Sequence, residues 1–61
     1  MTKEQMIEEL MKDAYASSEA NARIEAKLSR KPKNVIAFYF NTQYLKGVKK
    51  KFVIDNIIRI G

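Results

Sequence analysis

Apolar residues recur in steps of three and four through the first half of the chain, then crowd into short, nearly continuous runs in the second half. In the first half, Ile7, Leu10, Ala14, Ser17, Asn21, Ile24 and Leu28 follow a strict three-four alternation, the seam of a heptad repeat. Thr2 and Gln5 have the spacing of a capping box, and neither glycine nor proline interrupts the chain before Pro32. The pattern predicts one long helix over residues 2–29, with a weak point at Ser17-Ser18, where a serine hydroxyl can cap a second helix instead. Ile7, Leu10, Ala14, Asn21, Ile24 and Leu28 are the candidate oligomerisation residues, and Asn21 is of the type that fixes register. The same seam also fits a helix packed on its own sheet, because a/d patterning does not separate intramolecular from intermolecular burial.

A basic linker, residues 30–33, leads to Val35-Ile36-Ala37-Phe38-Tyr39-Phe40, rich in β-branched and aromatic side chains. This run predicts a strand from about Asn34 to Phe40, and Val48 to Ile54 predicts a second. Asp55-Asn56 reads as a turn, with Ile57 to Ile60 as a short third strand. The hairpin turn falls at Lys46-Gly47, or at Asn41-Thr42-Gln43 with Gly47 as a bulge. The expected fold is therefore α+β: one long N-terminal helix followed by a two- or three-stranded antiparallel β-hairpin or meander over residues 34–60, in one domain spanning 1–61. Alternation leaves both faces of that sheet apolar, so it needs two covers. Its own helix supplies one and a second copy of the chain the other, which makes a homodimer the expected assembly. Size argues the same way, since a chain of 61 residues buries only about 60% of its unfolded surface.

Charge divides the chain where the pattern does. Residues 1–28 hold four basic and six acidic side chains, whereas residues 29–61 hold eight basic side chains against Asp55 alone. A segment so basic attracts polyanions and acidic protein surfaces. The densest part is Lys49-Lys50-Lys51. As a strand it would place Lys49 and Lys51 on one face and Lys50 on the other, and the Lys46-Gly47 turn would set Tyr44 opposite Lys49. Lys46, Lys49, Lys51 and Tyr44, with Arg30, Lys31 and Lys33 in the linker, are the candidate contacts to nucleic acid or an acidic partner, through phosphate pairing and base stacking. Lysines at a strand end also block edge-to-edge aggregation, and Arg30 also suits the negative end of a helix dipole. Phe38, Tyr39 and Phe40 have the composition of a stacking platform but read first as core.

Catalysis has little to use. Cysteine and histidine are absent, no glycine-rich phosphate loop exists, and Glu4, Glu8 and Glu9 have no matching ligand set for a metal. The chain is expected not to be an enzyme and to need no cofactor. The N-terminal charges exclude the apolar core of a signal peptide, and the longest apolar run, Val35 to Phe40, is far short of the roughly 20 residues of a membrane helix. A soluble, cytoplasmic protein is expected. The leading functional expectation is a non-enzymatic nucleic-acid-associated regulator. The alternative is a protein-binding module or inhibitor docking on an acidic partner, and the third is a structural oligomer.

Overall fold

A computed structural model describes residues 1–60 and contains only helices among them. Four α-helices, α1 (Lys3–Met11), α2 (Ser18–Ser29), α3 (Lys33–Thr42) and α4 (Lys50–Arg59), are joined by short connections, with a 3-10 turn over Tyr44–Lys46 between α3 and α4. This overturns the α+β expectation: no β-hairpin or meander forms over 34–60, and the single helix over 2–29 is two helices.

The break follows from local chemistry. The capping box forms as its spacing requires, with the Gln5 amide donating to Thr2 Oγ1 at 3.1 Å and the Thr2 amide donating to Gln5 Oε1 at 2.7 Å. Asp13 then takes a left-handed conformation at φ 56°, which aspartate tolerates, and the first helix ends before it. Ser17 restarts the chain by accepting the Ala20 amide on its hydroxyl. Of the two readings of Ser17-Ser18, the cap is the one realised. The 30–33 linker shrinks to Arg30-Lys31-Pro32, since Lys33 already opens α3 behind Pro32.

The two expected strands are helices because their apolar residues also satisfy a helical period. Ile36 and Phe40 are one turn apart and buried. In α4, half-buried Lys50 shares its face with buried Val53, Ile54 and Ile57, at i, i+3, i+4 and i+7. Asp55-Asn56, expected as a turn, lies inside α4, and the Asn56 amide donates to Gln43 Oε1 at 2.9 Å. Gly47 is neither hairpin turn nor bulge. It closes the 3-10 turn at φ 100° with its amide on Tyr44 O, a left-handed position open to glycine. A Cβ there would meet nothing within 4 Å, so the backbone angle alone favours glycine.

The helices run up, down, up, down. Lys3 Nζ donates to Ser29 O, Lys31 Nζ to Ile60 O, and Lys50 Nζ to Lys12 O at 2.9 Å, so lysine ammonium groups meet the carbonyl ends of α2, α4 and α1. One end of the bundle gathers the starts of α1 and α3 with the ends of α2 and α4, and the other end gathers the reverse. α1 packs on all three other helices, and its Met6, Ile7, Leu10 and Met11 join Ala14, Leu28, Ile36, Phe40, Val53, Ile54 and Ile57 in one core. The radius of gyration, 10.4 Å, is that of a close-packed chain of this length, about 10.5 Å. Of the candidate oligomerisation residues, Ile7, Leu10, Ala14 and Leu28 are buried in the chain's own core and Ile24 packs at its edge. Asn21 is half-buried and donates to Tyr15 O at 3.1 Å, closing the α1–α2 loop.

Candidate functional site

Helix α4 starts without help from a capping side chain. Lys49 holds the N-cap position, Lys50 and Lys51 follow, and no acidic residue lies in the first turn. Successive helical residues are rotated by about 100°, so the three lysines fan out rather than alternate. Lys50 turns inward, donating to Lys12 O with its ammonium 6.0 Å from the centre of the Tyr44 ring. Lys49 and Lys51 are exposed, and the Lys51 ammonium stands 5.5 Å from the centre of the Tyr15 ring. Lys46, the last residue of the 3-10 turn, is exposed near the same end. Lys49, Lys50 and Lys51 edge a shallow cleft of about 570 Å³ lined also by Asp13, Ala14, Phe52 and Asp55. Phe52 is 60% exposed there. Burial, and after it the negative charge of Asp55, raises the Tyr15 phenol above its ordinary pKa.

The remaining candidates are dispersed. Tyr44 does not face Lys49 across a hairpin. It is half-buried in a groove between α1 and α3, its ring 5.0 Å from that of Phe40 and its hydroxyl donating to Glu9 Oε1 at 2.9 Å. That hydrogen bond, then partial burial, then the Glu9 charge raise its pKa. Thr42 donates to Phe38 O within α3. Arg30 caps the end of α2, Lys31 is spent on Ile60 O and Lys33 opens α3. All three lie at the opposite end of the bundle from Lys49, separated by the length of α3, about 15 Å for ten residues. The continuous basic surface expected from the sequence is two separate clusters.

Among the described residues, the ion pair formed is Arg23 with Glu19 on α2. No described carboxylate pairs with any basic side chain of the C-terminal half. Phe38, read first as core with Tyr39 and Phe40, is instead exposed, and so is Phe52. Phe38 and Phe52, 59% and 60% exposed, lie off the buried faces set by Ile36/Phe40 and by Val53/Ile54/Ile57. A helical wheel over either segment would have singled them out.

No family model matches the chain, and no curated protein or solved structure is significantly similar to it. Among the described residues no group of carboxylates is arranged to hold a metal ion, and no helix is long and apolar enough to cross a membrane.

Proposed function

We propose that the chain is a small, non-enzymatic nucleic-acid-binding protein of the cytoplasm whose contact surface is the end of the bundle bearing Lys46, Lys49 and Lys51. The start of α4 carries this reading. A helix N-terminus is already positive, and stability there favours a hydroxyl or a carboxylate. α4 has lysine at the cap and at the first two helical positions, with no capping side chain. Lys50 is spent on Lys12 O, but stability at the start of α4 does not account for Lys49 and Lys51, and a phosphate backbone compensates both of those charges. Phe52 beside them offers an apolar face for an unpaired base.

The test is fluorescence anisotropy of labelled single-stranded DNA, duplex DNA and RNA, each titrated at several salt concentrations. Binding is expected to weaken steeply with salt, and replacing Lys49 and Lys51 together with alanine should lower the magnitude of the logarithmic salt slope by roughly 1.4 to 1.8. Undiminished affinity of that double variant at low salt would sink the reading.

A second reading, docking on an acidic partner protein, is favoured by the exposed Phe38, Leu45 and Phe52, which suit a protein surface better than a phosphate backbone. A complex that survives nuclease treatment and is lost on replacing Phe52 with serine would favour it.

A further inference from the structure

We propose that the groove between α1 and α3 binds a small anionic amphiphile, a molecule with an acyl chain or aromatic ring and one carboxylate. The site shares no lining residue with the cleft beside Lys49, Lys50 and Lys51 and does not depend on the nucleic-acid reading. Its volume is about 370 Å³, within the range of about 300–1,000 Å³ of small-molecule sites. Met6, Ala37 and Phe40 line it, and Met1 and Leu45 border it. On α3 the lining residues Lys33, Ala37, Phe40 and Asn41 recur at helical spacing, with the short Ala37 side chain within the row, and Tyr44 of the 3-10 turn lies beyond its end. The Met6 thioether is adaptable enough to mould to an irregular apolar guest.

Two observations set the chemistry of the guest. Met1 is 68% and Leu45 61% exposed, at opposite ends of the groove, so an elongated apolar body lying along it would cover both. The polar groups at the two ends are unequal. Near Leu45, Glu9 accepts a hydrogen bond from the Tyr44 hydroxyl and its own carboxylate charge disfavours an anion at that end. At the other end Lys33 is exposed, pairs with no described carboxylate and sits at the positive end of α3. A carboxylate at Lys33 with its tail running toward Leu45 matches apolar wall to apolar chain and cation to anion.

The experiment titrates hexanoate, octanoate and decanoate, each below its micelle threshold, into the intact protein while its methyl NMR signals are followed. Octylamine and octanol serve as cationic and neutral controls. Saturable shifts are expected at Met1, Met6, Ala37 and Leu45. Affinity should rise up to about fourfold per added methylene until the groove is full, and octanoate should bind at least several-fold more tightly than either control. Lys33→Glu should weaken octanoate by about tenfold, while Lys27→Glu, with the same change in net charge on α2, should leave it unchanged. Leu45→Asn, at an exposed position that does not test folding, should weaken it several-fold. Octylamine binding as tightly as octanoate, equal losses in the two lysine variants, unchanged binding by Leu45→Asn, or shifts spread over the whole molecule would each overturn the proposal.

Discussion

Helices α1 and α2 begin with a hydroxyl that accepts a backbone amide, from Thr2 and Ser17, and carry Glu4 and Glu19 in their first turns. Helices α3 and α4 begin at Pro32 and Lys49, have no side-chain cap and no acidic residue in the first turn, and α4 places Lys51 at the second helical position, where α1 and α2 have Glu4 and Glu19. The first arrangement satisfies orphan amides and opposes the helix dipole. The second does neither. α3 and α4 persist because Ile36, Phe40, Val53, Ile54 and Ile57 bury their apolar faces, which frees their N-termini to keep a charge that opposes local stability. Helix-start chemistry thus serves the fold in one half and leaves positive charge without an acidic neighbour in the first turn in the other.

The two halves nevertheless share one core, and this gives the largest expected effect. Leu10→Ala and Ile54→Ala each remove a fully buried side chain, one from either half, and each should cost about 2–5 kcal/mol. In a domain this small either loss is most of the stability. Circular dichroism and tyrosine fluorescence should report one coincident transition in urea for both variants. Separate transitions would mean that the halves fold independently and that their contrast is one between two modules.

How the sequence was misread follows from the same contrast. The start of α1 was legible because a capping box is local: Thr2 and Gln5 need only each other. Ser17 was half legible, since its hydroxyl announces a cap without saying whether the chain uses it. The C-terminal half was not legible by composition. β-branched and aromatic residues favour strands only weakly, and tertiary burial overrides the preference. A continuous run such as Val35 to Phe40 has no period of its own to separate strand from helix. The stronger signal lay in α4, where Val53, Ile54 and Ile57 keep helical spacing and the strand reading left apolar residues on both faces. A sheet needing two covers was itself a warning, because a helix over the same residues needs only one. For the site, strand alternation sets Lys50 apart from Lys49 and Lys51, and in the structure Lys50 turns inward while the other two are exposed. The cause is the 100° helical step, not strand alternation. The company of Tyr44 depended wholly on the hairpin, and went with it.

Removing a cap comes next in size. Thr2→Ala and Ser17→Ala should each lower stability by about 1 kcal/mol, read as a shift of the urea midpoint at unchanged slope. Lys49→Asp reverses the comparison by giving α4 the kind of start α1 has. It should raise stability by about 0.5–1 kcal/mol while weakening polyanion binding more than Lys49→Ala does. If Lys49→Asp destabilises the protein, the lysine has a structural role, and the argument that local stability does not explain it fails.

The smallest effect concerns a side-chain hydrogen bond between the halves. Tyr44, from the basic half, donates to Glu9 on the acidic α1, and this hydrogen bond is the first cause of its raised pKa. The folded state therefore holds the phenolic proton more tightly than the unfolded chain, whose tyrosines ionise near pH 10. Below that pH both states keep the proton and the contribution to stability is constant. As the pH rises past 10 the unfolded chain loses its proton first, and the contribution disappears as the pH passes the folded value. Tyr15, raised by burial and by Asp55, acts with the same sign. Tyr44→Phe should cost only about 0.5 kcal/mol at neutral pH, the low end for a hydrogen bond because the site is half exposed. It should also make the loss of stability above pH 10 shallower, with Tyr15 supplying part of what remains. Subtracting the stability curves of the two proteins removes every titration they share. A difference that stays constant from pH 8 to pH 11 would show that Glu9 does not hold the Tyr44 proton, leaving apolar packing and the Lys50 bond to Lys12 O to join the halves.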